Sequence, residues 1–255
     1  EHLRTSKPAH SIVSSGDVLN VVNRVMKLTR GKLLKQTDWD DWQQSEYLQL
    51  NQYHDQGMFG QPQMVDEDAA IFPLVWTYNV KALDGRKKAR CVCDGSPRTG
   101  QATILDETYA NCVDQTSSRL FYGIAAAENL LIFGADVSNA FAEAPPPKQG
   151  FYIYPDRAFR EWWIHHKNNP PLSEDEVIPI LSAMQGHPES PRLWEKHADA
   201  ILRDIGLVPT VHEPCLYSGI IDGKRIIFKR QVDDFAIAAP DERTANVLLD
   251  TIDEE

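Results

Sequence analysis

Positive charge is scarce in this 255-residue chain, where 26 Lys and Arg stand against 37 Asp and Glu for a formal net charge of −11. Phosphate neutralisation needs clustered Lys and Arg, so a uniformly basic nucleic-acid-binding domain is excluded and any such role must rest on local positive charge. Long hydrophobic runs are missing too. No apolar stretch approaches the ~18 residues of a spanning helix, and the polar opening EHLRTSKPAH lacks the pattern of a signal peptide. The expectation is a soluble, intracellular chain without membrane contact. Cysteine is sparse: Cys91, Cys93, Cys112 and Cys215 are too few for a disulfide scaffold at this length. Cys91 and Cys93 fall on one face of a strand with no second CxxC or HxxxH pair, which reads as half-buried thiols rather than a zinc site. Repeats and low-complexity blocks are absent. The chain begins without Met and stops at Asp253-Glu254-Glu255 inside a helical pattern, so a piece of something longer is expected.

What is present is globular: 42% hydrophobic and 25% charged residues. Residues 1 to about 35 carry scattered cations with weak periodicity and read as a mobile or peripheral lead-in. From Thr37 or Asp38, Trp39, Trp42, Glu46/Tyr47 and Leu50 recur at helical spacing, and every charged residue from Asp38 to Ala70 is acidic, which reads as a solvated face. A hairpin follows, with strands 75–81 and 87–93 about the turn Leu83-Asp84-Gly85-Arg86. Its Lys81, Arg86, Lys87, Lys88 and Arg90, with Arg98 beyond, face only Asp84 and Asp94. Such a cationic ribbon is either a phosphate surface or a solvated hairpin tip.

A helix over 116–129 leads to the apolar run Leu130 to Ala135, expected as a strand buried on both faces and ending in Asp136. A strand at 151–154, a loop-rich stretch to about Asp175, a strand at 177–181 and a turn at Gln185-Gly186 precede an amphipathic helix from Pro191 to Ile205. The chain closes with a strand at 215–217, the turn Ile221-Asp222-Gly223-Lys224, a strand to Gln231, the pair Asp233-Asp234, a strand over 235–239 and a helix from Asp241. The order predicts an α+β fold close to a ferredoxin-like split βαβ core.

Asp136 ends an apolar strand, and Asp233-Asp234 sits between Ile226-Ile227-Phe228 and Phe235-Ala236-Ile237. Adjacent carboxylates flanked by core strands repel one another and are costly to desolvate unless a cation neutralises them. Mg²⁺ suits such oxygen donors, and paired ions on shared aspartates serve phosphoryl transfer. The alternative is an Asp-Asp pair that merely marks a hairpin turn.

Taken in order, Trp76 to Lys81, Lys88-Ala89-Arg90 with Gly95, Asp136-Val137 with Ala140-Phe141, Tyr152 to Pro155, Gly186, Ser190 to Trp194, His212 to Leu216, and Val232-Asp233-Asp234 form one ordered set. This set resembles the reverse transcriptase of copia-type LTR retrotransposons, from about residue 38 onward. The resemblance implies a polymerase palm with an N-terminal fingers subdomain, bounded as a lead-in at 1–37, mainly fingers at 38–135 and mainly palm at 136–255, cut before a thumb and a ribonuclease H domain. It implies Asp136 and Asp233 as the principal ligands of two Mg²⁺ ions, with Asp234 a third, less direct carboxylate and Mn²⁺ a possible substitute. Lys81 and Arg90 would meet the triphosphate of the incoming dNTP, a bidentate guanidinium suiting that task. Val137, Ala140, Phe141, Gln185 and Gly186 complete the implied nucleotide pocket, with Phe141 as a gate against a ribose 2′-OH or else plain core packing. Leu193 and Trp194 read as core residues of their helix. Gln231 stands where the family carries Tyr, so Gln231 and Val232 become the implied primer contacts in altered form.

The implied partners are dNTPs, an RNA or DNA template with its primer, and the rest of a Pol polyprotein. The implied setting is cytoplasmic, in a virus-like particle. Two other readings stay open: a decayed or domesticated palm that binds nucleic acid without catalysis, and another split-βαβ metal-dependent nucleotidyl transferase. Grip on primer-template is expected mainly from the hairpin cations and from basic segments beyond residue 255, so the affinity of this stretch alone is expected to be weak and strongly salt-dependent.

Overall fold

A computed structural model describes residues 28–66, 68–81, 84–99, 105–166 and 168–254. In chain order the first elements are α1 (Arg30–Leu33), α2 (Trp39–Asp55), β1 (Ile71–Val80), β2 (Lys87–Cys93), α3 (Gln115–Ala127), β3 (Leu131–Asp136), α4 (Ala140–Glu143) and β4 (Phe151–Tyr154). Then come α5 (Arg157–His165), β5 (Ile178–Ile180), α6 (Ser190–Asp204), β6 (Val208–Pro209), β7 (Leu216–Ile221), β8 (Lys224–Gln231), β9 (Asp234–Ala239) and α7 (Glu242–Glu254). Helices and mainly antiparallel sheets make this an α+β chain. Two compact units interleave along it: among the described residues one takes 28–108 and 141–193, the other 109–140 and 194–254.

In the first unit the sheet order is β2-β1-β4-β5. β1 and β2 pair antiparallel from Leu74↔Cys93 to Val80↔Lys87, and alternation along β2 sends Ala89, Cys91 and Cys93 inward while Arg90 stays exposed. Cys91 and Cys93 are fully buried rather than half-buried, and burial pushes the Cys91 thiol up and the Cys93 thiol up to about 12. Inert packing thiols result. They join Phe72, Phe151, Phe159, Trp162 and Ile178 in the core.

Trp42, Glu46, Gln49, Leu50 and Tyr53 form the inward stripe of α2. Glu46 corrects the expectation of a wholly solvated acidic face. It is fully buried, takes Arg30 Nε at 2.9 Å and accepts from the Tyr78 hydroxyl at 2.5 Å. Burying the carboxylate demands that pairing, because a lone buried charge costs several kcal/mol. Arg30 reaches Glu161 as well, and Leu33 is fully buried, so the described end of the supposed lead-in is anchored; residues 1–27 lie outside the described residues. The stretch expected to be loop-rich holds α5. Asp156 caps it by accepting from the Phe159 N–H at 2.9 Å and also takes the Trp76 indole N–H at 2.9 Å, while Phe159 and Trp162 turn inward.

The second unit has the sheet order β3-β9-β8-β7-β6. Phe121 and Ala125 of α3 pack on Leu216, Ile227 and Ala238. Asp114 caps α3 through the N–H groups of Thr116 at 2.6 Å and Ser117 at 3.0 Å. Against expectation, β3 lies at the edge of this sheet among the described residues, with Leu131 54% and Ile132 43% exposed. A short apolar run reads alike at the centre and the edge of a sheet, so periodicity could not place it.

Candidate active site

Two hairpins in the second unit show how differently a two-residue turn can be made. Between β7 and β8 the turn is Asp222-Gly223, at φ 49° and 73°, residues that enter the left-handed region at little cost. Between β8 and β9 it is Val232-Asp233, and Val232 sits at φ 58°. For a β-branched residue that is a true outlier, worth about 1–3 kcal/mol of strain. Both carbonyls of this turn are pinned. The Trp194 indole N–H donates to the Val232 oxygen at 2.8 Å, and the Val137 N–H donates to the Asp233 oxygen at 3.1 Å.

The pinned turn aligns the carboxylates. Asp136 of β3 opposes Asp234 of β9, which opposes Gln231 of β8, so the three share one row and one sheet face. Since Val137 and Asp233 make the hydrogen bond next to it, Asp136–Asp234 is the non-hydrogen-bonded kind of pair, whose Cα atoms lie about 4.5 Å apart. Asp234 shows the consequence. Partial desolvation, then the charges of Asp233 and Asp136, raise its carboxyl above the usual range, with Lys229 opposing. Like charges so placed favour a cation between them, and carboxylate oxygens are the donors of Mg²⁺ and Mn²⁺. The three aspartates therefore fit a hard divalent ion in donor chemistry and backbone placement. Among the described residues, however, no three His, Cys, Asp or Glu side chains converge into a group that could hold a metal as they stand.

The other implied residues divide between the units. Val137 and the buried Ala140 follow β3 in the second unit, where Gln231 and Val232 are half-buried. In the first unit, Lys81 and Arg90 are exposed and Phe141 is half-buried. The hairpin ribbon is thinner than its sequence suggests. Lys87 is held by Asp38 at 2.5 Å and Asp41 at 2.7 Å, and Arg86 lies 3.7 Å from Asp84. Gln185-Gly186 is locked to the strand of Arg90: the Cys93 N–H donates to the Gln185 oxygen at 3.0 Å. Gly186 is at φ 101°, and a Cβ there would stand 1.9 Å from the Cys93 oxygen, so only glycine permits the approach.

Sequence reasoning missed two sets of residues. Trp194, 4% exposed, is a core residue that also anchors the carboxylate turn. Buried Glu189, Glu195 and Glu213 accept backbone N–H groups from the segment before α3, at Asp106 (2.7 Å), Asn111 (3.1 Å) and Asp114 (3.1 Å). Glu195 also takes the buried Arg230 at 3.4 Å. The only signal was acid placed among apolar residues, as in Leu193-Trp194-Glu195.

Known families give the wider setting for this geometry. A family model described as reverse transcriptase (RNA-dependent DNA polymerase) matches residues 63–253. That span is most of the chain and holds every aspartate of the row, the turn that carries them, and the Arg90 strand with its Gly186 contact. The chain belongs to the copia-type reverse transcriptase family of polymerases.

Proposed function

We propose that the chain is an RNA-directed DNA polymerase that extends a primer 3′-OH with dNTPs. The observation that carries this reading is the Asp136–Asp234 pair beside a strained, doubly pinned turn bearing Asp233. The 3′-hydroxyl oxygen bonds to the α-phosphorus of the dNTP, the bond to the β-phosphate oxygen breaks, and pyrophosphate leaves as the hydroxyl proton is lost. Asp136, Asp233 and Asp234 would hold Mg²⁺ or Mn²⁺, which when bound supplies an acidified hydroxyl and charge neutralisation at the phosphates. Arg90 and Lys81 hold the triphosphate, Arg90 through paired N–H groups that keep it in line. On the family's pattern Gln185, Gly186, Val137 and Ala140 would meet the incoming nucleotide, and Phe141 would exclude a 2′-OH by bulk. Gln231, one strand from Asp234, meets the primer end with Val232.

In this reading the unit with β1 and β2 serves as fingers and the unit with the aspartates as palm. An RNA or DNA template, and other Pol polyprotein domains in a cytoplasmic particle, complete the setting. Asp233→Asn tests it: primer extension on RNA is lost while thermal unfolding stays near that of the parent. Extension at the parental rate by the purified variant overturns the assignment.

A further inference from the structure

Lys229 is the charged group one row from the aspartates on their sheet face. Along β8 it alternates with the buried Arg230 of the opposite face and shares its own face with Gln231. Its row is Gly134, Ala236 and Lys229, two residues from the row of Asp136, Asp234 and Gln231, so about 7 Å along the strands. Gly134 and Ala236 give this row almost no side-chain height, and a Cβ at Gly134 would meet no atom closer than the Phe235 oxygen at 4.0 Å. Ala236 is half-buried against the Phe121–Ala125 cluster of α3, so the open part of this row is the exposed Gly134, where a polymer backbone can approach closely beside the aspartates.

The Lys229 ammonium is held by neutral groups. It donates to Ser118 Oγ at 3.1 Å and to the Tyr122 hydroxyl at 3.2 Å, and lies 4.7 Å from the Tyr122 ring centroid and 5.5 Å from that of Phe121. Lys87, Lys148 and Lys224, by contrast, each sit on an aspartate. Two hydroxyls and two ring faces fix the position of Lys229 without cancelling its charge, and an ammonium has three donors. In a chain of net charge −11, this held cation makes no ion pair among the described residues and only partly offsets the Asp234 carboxyl, so its free donor remains available to an anion. Its distance from the carboxylate row is of the order of one nucleotide step.

We propose that Lys229, oriented by Ser118 and Tyr122, binds a phosphodiester of the primer strand as that strand passes Gly134 toward the aspartates. The proposal rests on the polymerase reading and adds a primer-backbone contact to it. A point charge of this kind reads no sequence, so it acts equally on every primer.

The test is primer-template binding to the full chain by fluorescence anisotropy across a salt series, beside steady-state dNTP kinetics. Lys229→Gln is expected to weaken binding several-fold at low salt and to flatten the slope of log K against log salt by about 0.9, one phosphate contact. Lys229→Arg keeps the parental slope, and the KM for dNTP is unchanged in both. An unchanged slope in Lys229→Gln, or an effect confined to the KM for dNTP, overturns the proposal and leaves the polymerase reading standing. A parent chain that neither binds nor extends primer-template overturns both.

Discussion

Replacing Trp194 with Phe removes one N–H group and tests what holds the carboxylate turn. The indole donates to the Val232 carbonyl at 2.8 Å, and Val232 is at φ 58°. Losing a hydrogen bond of this type costs about 0.5–1.5 kcal/mol net, and an unsatisfied, partly buried carbonyl raises that to about 1–3 kcal/mol. The strain that the bond opposes is of the same size, about 1–3 kcal/mol. Without the bond the turn is free to relax, and Asp233 moves with it. Misplacement of a catalytic group by about 1 Å costs roughly 100-fold in rate. Single-turnover primer extension on RNA is therefore expected to slow by about 10- to 100-fold in Trp194→Phe, with the KM for dNTP little changed and a melting point a few degrees lower. Adding Val232→Gly recovers much of the rate, because glycine holds a positive φ without the Cβ clash. A merely packed indole predicts a different result, since Val232→Gly restores no lost volume. Full activity in Trp194→Phe, or no recovery in the double variant, refutes the reasoning.

Further expectations concern the other unit and the thiols. Gly186→Ala places a Cβ 1.9 Å from the Cys93 oxygen and is expected to prevent folding, whereas Gly85→Ala, at φ 69° with open space around it, costs only about 1–2 kcal/mol by urea unfolding. Buried His187, stacked on Phe151 at 4.6 Å with Nδ1 accepting from the Glu189 N–H, has its pKa lowered by burial, with Glu189 acting against the shift. The unfolded chain thus binds the proton more readily, so this stability is present above about pH 6.5 and is lost as pH falls. Urea unfolding at pH 7.5 and 5.5 shows a smaller acid loss in His187→Phe; an equal loss contradicts the assignment. Cys112 is exposed while Cys91, Cys93 and Cys215 are buried, so a thiol reagent titrates one fast group in the native chain and four after denaturation.

Sequence and structure agree where local chemistry is strong. Asp222-Gly223 announces its turn, the β2 alternation sets Arg90 outward, and the carboxylates stand where the strand pattern ends. Agreement fails where tertiary contacts decide. The turn at Asp233 stands where the sequence puts it, but its left-handed valine does not show there: Gln231-Val232-Asp233-Asp234 lacks the Gly or Asn of a tight turn, and the Trp194 indole and the Val137 N–H, both distant in sequence, pin its carbonyls. The run Leu130 to Ala135 reads as a strand buried on both faces and lies at the sheet edge among the described residues, because apolar pattern does not count neighbours. α5 was hidden by a cap, Asp156, that follows a proline and whose partners are a backbone N–H and a distant indole. Charge by segment misled as well. Lys87 is neutralised by Asp38 and Asp41 and Glu46 is buried on Arg30, while Lys229, unremarkable in sequence, is the cation beside the aspartate row.

The central claim is templated addition at that row, and one measurement reaches it directly. The purified chain is given a primer annealed to RNA, Mg²⁺ and each dNTP singly, and the products are resolved at single-nucleotide length. The account predicts extension by one residue with the complementary dNTP alone, lost on chelation and lost in Asp233→Asn. Addition that ignores the template base, or that survives in Asp233→Asn, contradicts it.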